Sequence, residues 1–159
     1  RLYARNTIEL ELSNRKINKL IYFNDFENLE ALWLNNNKLE QIVDLDSNIR
    51  IKELYLSHNL ITTLEGSILK MKFLKVLLLN NNKLRNLDFQ IGLLKEVPFL
   101  ESLNLFGNPL SEEPEYRNRV LYLLKSIDTL DRHKITKFER IRADKVASVF
   151  YCPLPKINS

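Results

Sequence analysis

The sequence has 159 residues, of which 45% are hydrophobic and 28% are charged, with a formal net charge of +4. This length predicts one domain, and this hydrophobic content is ample for a buried core. No apolar run approaches the roughly 18 residues that a membrane-spanning helix needs, and no low-complexity tract is present, which argues against a membrane protein and a disordered chain. Because the chain starts at Arg1, we expect it to be part of a longer protein, with any targeting segment or N-terminal cap outside it.

The charge is unevenly distributed along the chain. Residues 1–114 carry 14 lysines and arginines against 15 acidic residues, whereas residues 115–145 carry 9 against 5. The first part is therefore almost neutral, and the C-terminal part is basic. The single cysteine, Cys152, rules out an internal disulfide and favours a reducing, intracellular compartment.

One pattern recurs along most of the chain. Residues 1–8 should lead into a first strand near Glu9–Ser13, and from there the frame Leu-x-Leu-x-x-Asn-x-Leu repeats with local variations. The first leucines of its five copies are Leu10, Leu32, Leu54, Leu77 and Leu103, so the steps are 22, 22, 23 and 26 residues. Five copies at this period are typical of a leucine-rich-repeat solenoid.

The spacing inside each repeat predicts its structure. Two leucines at period two point to the same side of a short strand. The second half of a copy carries apolar residues three apart, such as Leu20, Phe23, Phe26 and Leu29, which favours a helical or 3-10 segment behind the sheet. At Asn48 a polar residue stands where this frame expects an apolar one. We therefore expect an α/β leucine-rich-repeat solenoid with a parallel concave sheet, short helical or 3-10 convex segments and a C-terminal helical cap.

Four regions follow from this interpretation: five repeats over residues 1–110, a C-terminal cap over 111–135, a basic amphipathic helix over 136–149 and an extended tail over 150–159. The cap should contain a helix from about Pro114 to Leu124 and a last short strand near Leu130. Thr136 and Glu139 have the spacing of a capping box, which predicts a helix start there. Two prolines argue against a helix in the tail.

The run NPLSEEPEYRNRVLYLLKSIDTLDRHKIT resembles the C-terminal cap of intracellular leucine-rich-repeat proteins. The matching residues are Asn108, Pro109, Leu110, Tyr116, Arg117, Val120, Leu130, Asp131, Glu139 and Arg140. The 22-residue repeats resemble those of the regulatory subunit of protein phosphatase 1. The cap is also similar to that of the spliceosomal A-prime protein, of the outer-arm dynein leucine-rich-repeat light chain and of small ciliary proteins. The resemblance covers residues 7–142.

The resemblance implies a role for the asparagine of each repeat. In leucine-rich repeats these side chains form a ladder under the sheet, where an amide can bond backbone groups that lack a strand partner. The residues in this position are Asn37, Asn59, Asn82 and Asn108, and Arg15 replaces the asparagine in the first copy. Terminal repeats are often atypical, so we expect this departure to affect local geometry only.

Nothing in the sequence predicts catalysis. The chain has two histidines, His58 and His133, and neither is paired with a nucleophile at an interpretable spacing. Cysteine and histidine spacing of the metal-binding kind is absent, as is a glycine-rich phosphate loop. We therefore expect a non-enzyme without a cofactor, a metal or a small-molecule substrate.

The outward positions of the predicted sheet form the candidate binding face. Trp33, Tyr55 and Leu78 occupy the middle position of three neighbouring strands, which lie about 4.8 Å apart in a sheet. They should form a contiguous exposed apolar strip, and such surfaces mark interaction sites. Tryptophan and tyrosine are also enriched among interface hot spots. The predicted partner-binding residues are Trp33, Tyr55, Leu78, Asn35, Glu53, Asn80, Asn104 and Phe106.

The basic C-terminal helix is the alternative binding element. Arg140, Arg142 and Lys145 should lie on its polar side, where they could contact an acidic partner surface. Charge runs also occur on purely solvated faces, so both interpretations stay open. Aromatic residues interleaved with arginines at stacking positions are not evident, which disfavours nucleic-acid binding.

These patterns together predict a non-catalytic scaffold that binds other proteins and does not interact with a membrane. The resemblance favours a structural adaptor in a ciliary, axonemal or other cytoskeletal assembly of the cytoplasm. The alternatives are a regulatory subunit that holds a protein phosphatase on the concave face, and a spliceosomal adaptor, which would act in the nucleus.

Overall fold

The computed structural model describes residues 2–151 of the chain. Seven short strands form one sheet in chain order: β1 (Glu9–Glu11), β2 (Ala31–Trp33), β3 (Glu53–Tyr55), β4 (Val76–Leu78), β5 (Ser102–Asn104), β6 (Thr129–Leu130) and β7 (His133–Lys134). Strands β1 to β6 are parallel, and β7 returns antiparallel to β6. The predicted solenoid with a parallel sheet is confirmed.

The repeated leucines set the register of the sheet. Leu10, Leu32, Leu54, Leu77 and Leu103 are partners across consecutive strands. The last four are fully buried, while Leu10 at the N-terminal end is only partly covered. Because each repeat covers the leucines of its neighbour, the core is a continuous slab along the solenoid.

Short helical segments pack behind the sheet, as the three-residue spacing predicts. Three of them are 3-10 turns, Phe23–Asp25, Ser67–Lys70 and Pro109–Glu112. The described part of the chain also contains four α-helices: α1 (Leu2–Asn6), α2 (Leu87–Leu94), α3 (Tyr116–Leu123) and α4 (Lys137–Phe150). Helix α2 explains the 26-residue step of the fourth repeat, since a true helix takes more chain than a 3-10 turn. No helix within residues 2–151 is both long and apolar enough to cross a membrane.

The asparagine ladder is present. Asn59 donates from Nδ2 to the carbonyl oxygen of Leu34 in the preceding repeat at 2.9 Å and to that of Leu56 in its own repeat at 3.1 Å. Its Oδ1 accepts from the Leu39 amide at 3.0 Å. Asn37, Asn82 and Asn108 make the equivalent hydrogen bonds in their own repeats, and these three side chains and Asn59 are buried. Each amide therefore joins two repeats.

Asn48 shows why a polar residue stands in an apolar position of the frame. Its side chain is fully buried, and Nδ2 donates to the carbonyl oxygens of Phe23 at 3.0 Å and Phe26 at 2.9 Å. These two carbonyls also accept from the backbone amides of Phe26 and Leu29, so Asn48 gives each of them a second donor. The side-chain amide thus joins two repeats on the convex side, as the ladder asparagines do behind the sheet.

The N-terminal segment contains a helix that was not predicted. The first strand lies at Glu9–Glu11, where it was expected, and Leu2–Asn6 before it form the short helix α1. The carbonyl oxygen of Arg5 accepts from Asn28 Nδ2 at 2.8 Å, and its guanidinium pairs with Glu27 at 3.2 Å. These contacts to the end of the first repeat hold the helix, and local sequence pattern contains no sign of them.

The C-terminal cap begins with a tighter turn than predicted. A helix from Pro114 was expected, whereas the chain makes a 3-10 turn over Pro109–Glu112 and starts α3 only at Tyr116. Glu115 separates the two segments with a left-handed backbone, φ 57°. The last predicted strand is present as β6, which pairs with β5 and so extends the parallel sheet into the cap.

Helix α4 begins at the predicted capping box. Thr136 Oγ1 accepts from the Glu139 amide at 3.2 Å, and the Glu139 carboxylate accepts from the Thr136 amide at 2.8 Å. The helix packs on α3 through the small residues Ala143 and Ala147, which are buried. The extended tail was predicted from residue 150, but Phe150 is the last helical residue. Residues 152–159 of that tail, with Cys152, lie outside the described residues.

The end of α4 is bound back onto the fourth repeat. The Tyr151 hydroxyl donates to Asp88 of α2 and accepts from Arg119 of α3 at 3.1 Å. Arg119 is buried and also pairs with Asp88 at 2.9 Å and with Glu113 at 3.3 Å. Its guanidinium lies 4.7 Å from the centre of the Phe150 ring, a cation–π distance. One arginine therefore holds α2, α3 and α4 together.

Candidate functional site

The middle outward positions of the strands form one row across the concave face. The register places Glu11, Trp33, Tyr55, Leu78 and Asn104 side by side from β1 to β5. Side chains in this row point away from the leucine slab because they alternate with it along each strand. We call Trp33, Tyr55 and Leu78 the concave strip.

The two aromatic rings of the concave strip are stacked. The ring centres of Trp33 and Tyr55 are 5.1 Å apart, and the ring planes differ by 2°. An exposed strip was predicted, and the structure shows Trp33, Tyr55 and Leu78 each partly buried. The two rings therefore hold each other in position before any partner binds.

Two carboxylates flank the aromatic pair. Glu53 accepts from the Tyr55 hydroxyl at 3.0 Å. Burial, together with this bond, raises the pKa of Tyr55. Glu11 accepts from the Ser13 amide at 2.6 Å, and the hydrogen bonds from Ser13 lower its pKa. Glu11 is therefore ionised at neutral pH, and both side chains lie beside aromatic surface.

The next outward row is largely engaged inside the protein. Asn35 Oδ1 accepts from the Ser57 amide at 2.9 Å, and the Ser57 hydroxyl donates to Asn80 Oδ1 at 2.6 Å. Ser13 Oγ accepts from the Asn35 amide at 3.2 Å. Asn35 and Asn80 lie on the face where the sequence places them, but their side-chain oxygens join neighbouring repeats.

The predicted exposure of Asn104 is wrong. Its side chain points outward, as the register requires, but only 4% of the residue is exposed, and Oδ1 accepts from the Phe106 amide at 3.1 Å. The cap covers it, since Asp131, Arg132 and His133 line the same depression at this end of the face. Phe106 remains 64% exposed.

The alternative site on α4 is partly contradicted. Arg140 was expected on the polar side, but its guanidinium turns inward and donates to the carbonyl oxygens of Leu121, Leu124 and Ile127 at the end of α3. It therefore caps that helix and is not free for a partner. Arg142 and Lys145 are exposed, as predicted.

The outer side of α4 also carries apolar residues that the interpretation as a basic helix missed. Phe138 is 85% exposed and Val149 is 82% exposed. The signal was available in the alanines, since Ala143 and Ala147 are the small residues that a close helix contact requires.

The fold is a parallel-sheet solenoid with an asparagine ladder, a helical cap and aromatic side chains on its concave face. These features define a protein-interaction scaffold of the repeat class. The family model described as Leucine-rich repeat matches residues 44–150. This match covers more than half of the chain, which belongs to the leucine-rich-repeat family.

Curated relatives carry the same kind of repeats. Leucine-rich repeat-containing protein 51 of Rattus norvegicus is 34% identical over 123 residues, which is 72% of this chain and 64% of that protein. Leucine-rich repeat-containing protein 23 of Bos taurus is 31% identical over 115 residues, 72% of this chain and 33% of that protein. The chain thus spans less than two thirds of the length of these relatives.

Solved structures show the same architecture. The complex of SNF and U2A′ from Drosophila melanogaster matches with a TM-score of 0.79 and 27% identity, over 86% of this chain and 79% of the matched one. A leucine-rich-repeat protein of Leptospira interrogans matches with a TM-score of 0.61 and 28% identity, over 79% of this chain and 37% of that chain.

Proposed function

We propose that the chain is a non-catalytic adaptor that binds a partner protein through the concave strip. The observation that carries this proposal is the stacked pair of Trp33 and Tyr55 beside Leu78, an apolar surface on the outward side of the sheet. Side chains that already hold each other in place lose little conformational freedom when a partner binds. Aromatic anchors of this kind are enriched among the residues that dominate binding free energy.

The assembly that we favour is ciliary or axonemal. Support comes from the repeat length and the cap sequence, which resemble those of small ciliary leucine-rich-repeat proteins. Three contacts in the cap connect residues of that sequence motif: Tyr116 bonds Asp131 at 2.9 Å, Arg117 pairs with Glu139 at 2.8 Å, and Arg117 donates to the Leu130 carbonyl oxygen at 3.2 Å.

A spliceosomal adaptor is the second candidate. The match to the Drosophila complex of SNF and U2A′, at a TM-score of 0.79, supports it as well as the cap resemblance supports the first. A phosphatase subunit is the third. Glu11, Glu53, Trp33 and Tyr55 supply the acidic and aromatic side chains that such a concave face would use.

Affinity purification of the tagged chain from ciliated cells, followed by mass spectrometry, tests the proposal, because axonemal, spliceosomal and phosphatase partners do not overlap. The same purification with Trp33→Ala and with Leu78→Asp should lose the specific partners. The matched comparison is Arg142→Glu combined with Lys145→Glu, which changes the outer side of α4 and leaves Arg140 in its capping position. Partners that survive both strip variants and are lost with the α4 variant would overturn the proposal in favour of α4.

A further inference from the structure

The geometry around Trp33 indicates which chemical groups a partner would present. Parallel rings whose centres are 5.1 Å apart are offset-stacked, so Tyr55 covers one face of the indole. This distance is close to the strand spacing of about 4.8 Å, so the stack runs along the row from strand to strand. The opposite face of the indole is therefore turned toward β1, where the register partner of Trp33 is Glu11.

Glu11 has capacity for a further bond. Within residues 2–151 its hydrogen bonds come from Ser13 alone, whose amide donates to Oε1 at 2.6 Å, and no lysine or arginine there lies within ion-pair distance of it. The side chain is exposed, as is that of Glu9 on the same strand. An ionised carboxylate thus stands beside the open face of an indole ring.

The rest of the concave face has the same sign of charge. Across β1 to β5 the three outward columns are Glu9, Ala31, Glu53, Val76 and Ser102; Glu11, Trp33, Tyr55, Leu78 and Asn104; and Ser13, Asn35, Ser57, Asn80 and Phe106. These positions contain three glutamates and no lysine or arginine. Like charges would repel an acidic partner from this surface, whereas a cationic partner is complementary to it.

We infer that the concave strip recognises an arginine-bearing segment of the partner, with one guanidinium stacked on the open face of Trp33 and bonded to Glu11. This inference rests on the proposed function and specifies its partner. A guanidinium is planar and stacks on aromatic rings while its N–H groups bond a carboxylate, which a lysine ammonium does less well. Apolar side chains of the same segment would cover Tyr55 and Leu78.

Selection of short peptides from a random display library on the immobilised chain tests this inference. Counter-selection against Trp33→Ala retains only peptides that use the strip. We expect the retained peptides to contain arginine next to leucine-like residues. Retained peptides that are neutral or acidic would overturn the inference about charge and leave the proposed strip intact, whereas a failure to retain any peptide that depends on Trp33 would count against both.

A retained peptide is then synthesised without tryptophan, with arginine or with its neutral isostere citrulline, and titrated against the fluorescence of Trp33. The citrulline peptide should bind about tenfold more weakly, and Glu11→Gln should remove most of that difference. Glu65→Gln is the control, since Glu65 is exposed and lies outside the outward columns. Equal affinity for the two peptides would contradict the role of the guanidinium.

Discussion

The Tyr116 hydroxyl donates to Asp131 Oδ2 at 2.9 Å, and the other oxygen of the same carboxylate accepts from the Leu105 amide at 2.8 Å. Helix α3 is thereby bonded through one side chain to the backbone that follows β5. Burial, reinforced by the neighbouring Asp131, raises the pKa of Tyr116 far above its ordinary value. The hydroxyl therefore stays protonated and donates throughout the usual pH range.

Tyr116→Phe should destabilise the chain by about 1–3 kcal/mol, because it leaves a carboxylate oxygen without its donor in a partly buried position. Urea unfolding followed by circular dichroism measures the change. Tyr122→Phe is the matched control, since it also removes a tyrosine hydroxyl but from an exposed residue of the same helix. Equal unfolding midpoints for the two variants would contradict the role of the bond.

The ladder makes a second prediction. Asn59→Ala should cost about 1–3 kcal/mol, because it leaves the buried Leu39 amide without a partner and removes one of the two side-chain donors from each of the Leu34 and Leu56 carbonyl oxygens. Leu56→Ala should cost about 2–5 kcal/mol as a truncation in the slab. Thr62→Ala, an exposed position in the same repeat, should leave the unfolding curve unchanged. Thermal and urea unfolding of all three variants provide the comparison.

The cap gives a prediction for pH. The bond from Arg117 and the bond from the Thr136 amide lower the pKa of Glu139 from 4.5 to about 2. A carboxyl group whose pKa is lower in the folded chain than in the unfolded chain stabilises the fold at pH values above the unfolded pKa. This stabilisation is lost as the pH falls from about 4.5 toward 2. Glu139→Gln should therefore lower the free energy of unfolding by about 1 kcal/mol at pH 7, since partial solvent exposure of the pair weakens its contribution.

Unfolding free energies of wild type and Glu139→Gln, measured from pH 7 down to pH 2, should converge as the pH falls. Glu65→Gln serves as a control, because it removes an exposed carboxylate outside the cap. A difference between wild type and Glu139→Gln that stays constant over the whole range would show that ionisation of Glu139 does not stabilise the cap.

Removal of the cap should expose the end of the slab. A chain that ends at Pro109 loses α3, α4 and β6, so β5 becomes an open edge and Leu103 and Leu105 lose their cover. We expect aggregation rather than a shorter stable solenoid. Size-exclusion chromatography and circular dichroism check this outcome. A monomeric 1–109 fragment that unfolds cooperatively would show that the cap is dispensable.

The repeat frame predicts the solenoid because spacing alone decides which side chains face the slab. Leu32 and Trp33 occupy opposite sides of β2 for that reason, and the register of the strands follows from the same spacing. Contacts between distant segments are not encoded in the spacing. The burial of Asn104 depends on a turn of the cap about 28 residues later, and the inward turn of Arg140 depends on where α3 ends.

Local pattern also misjudged the helix ends. The left-handed residue Glu115 delays α3 to Tyr116, and no residue type in that run is specific for such a conformation. Helix α1 is held by Asn28 and Glu27 of the first repeat rather than by its own sequence. A short helix of this length has little intrinsic stability in water, so only the tertiary contacts explain it.

The most direct test of partner binding at the concave strip uses the single tryptophan of the chain. Incorporation of 5-fluorotryptophan at Trp33 gives one fluorine resonance, which any tryptophan in the partner leaves undisturbed. On titration with the purified partner this resonance should shift in step with binding. Trp33→Ala should weaken the partner's affinity about 30- to 900-fold, while the loss of stacking on Tyr55 costs only about 0.5–1.5 kcal/mol of stability. An unshifted resonance at saturation, together with an unchanged affinity of Trp33→Ala for the partner, would contradict binding at the concave strip.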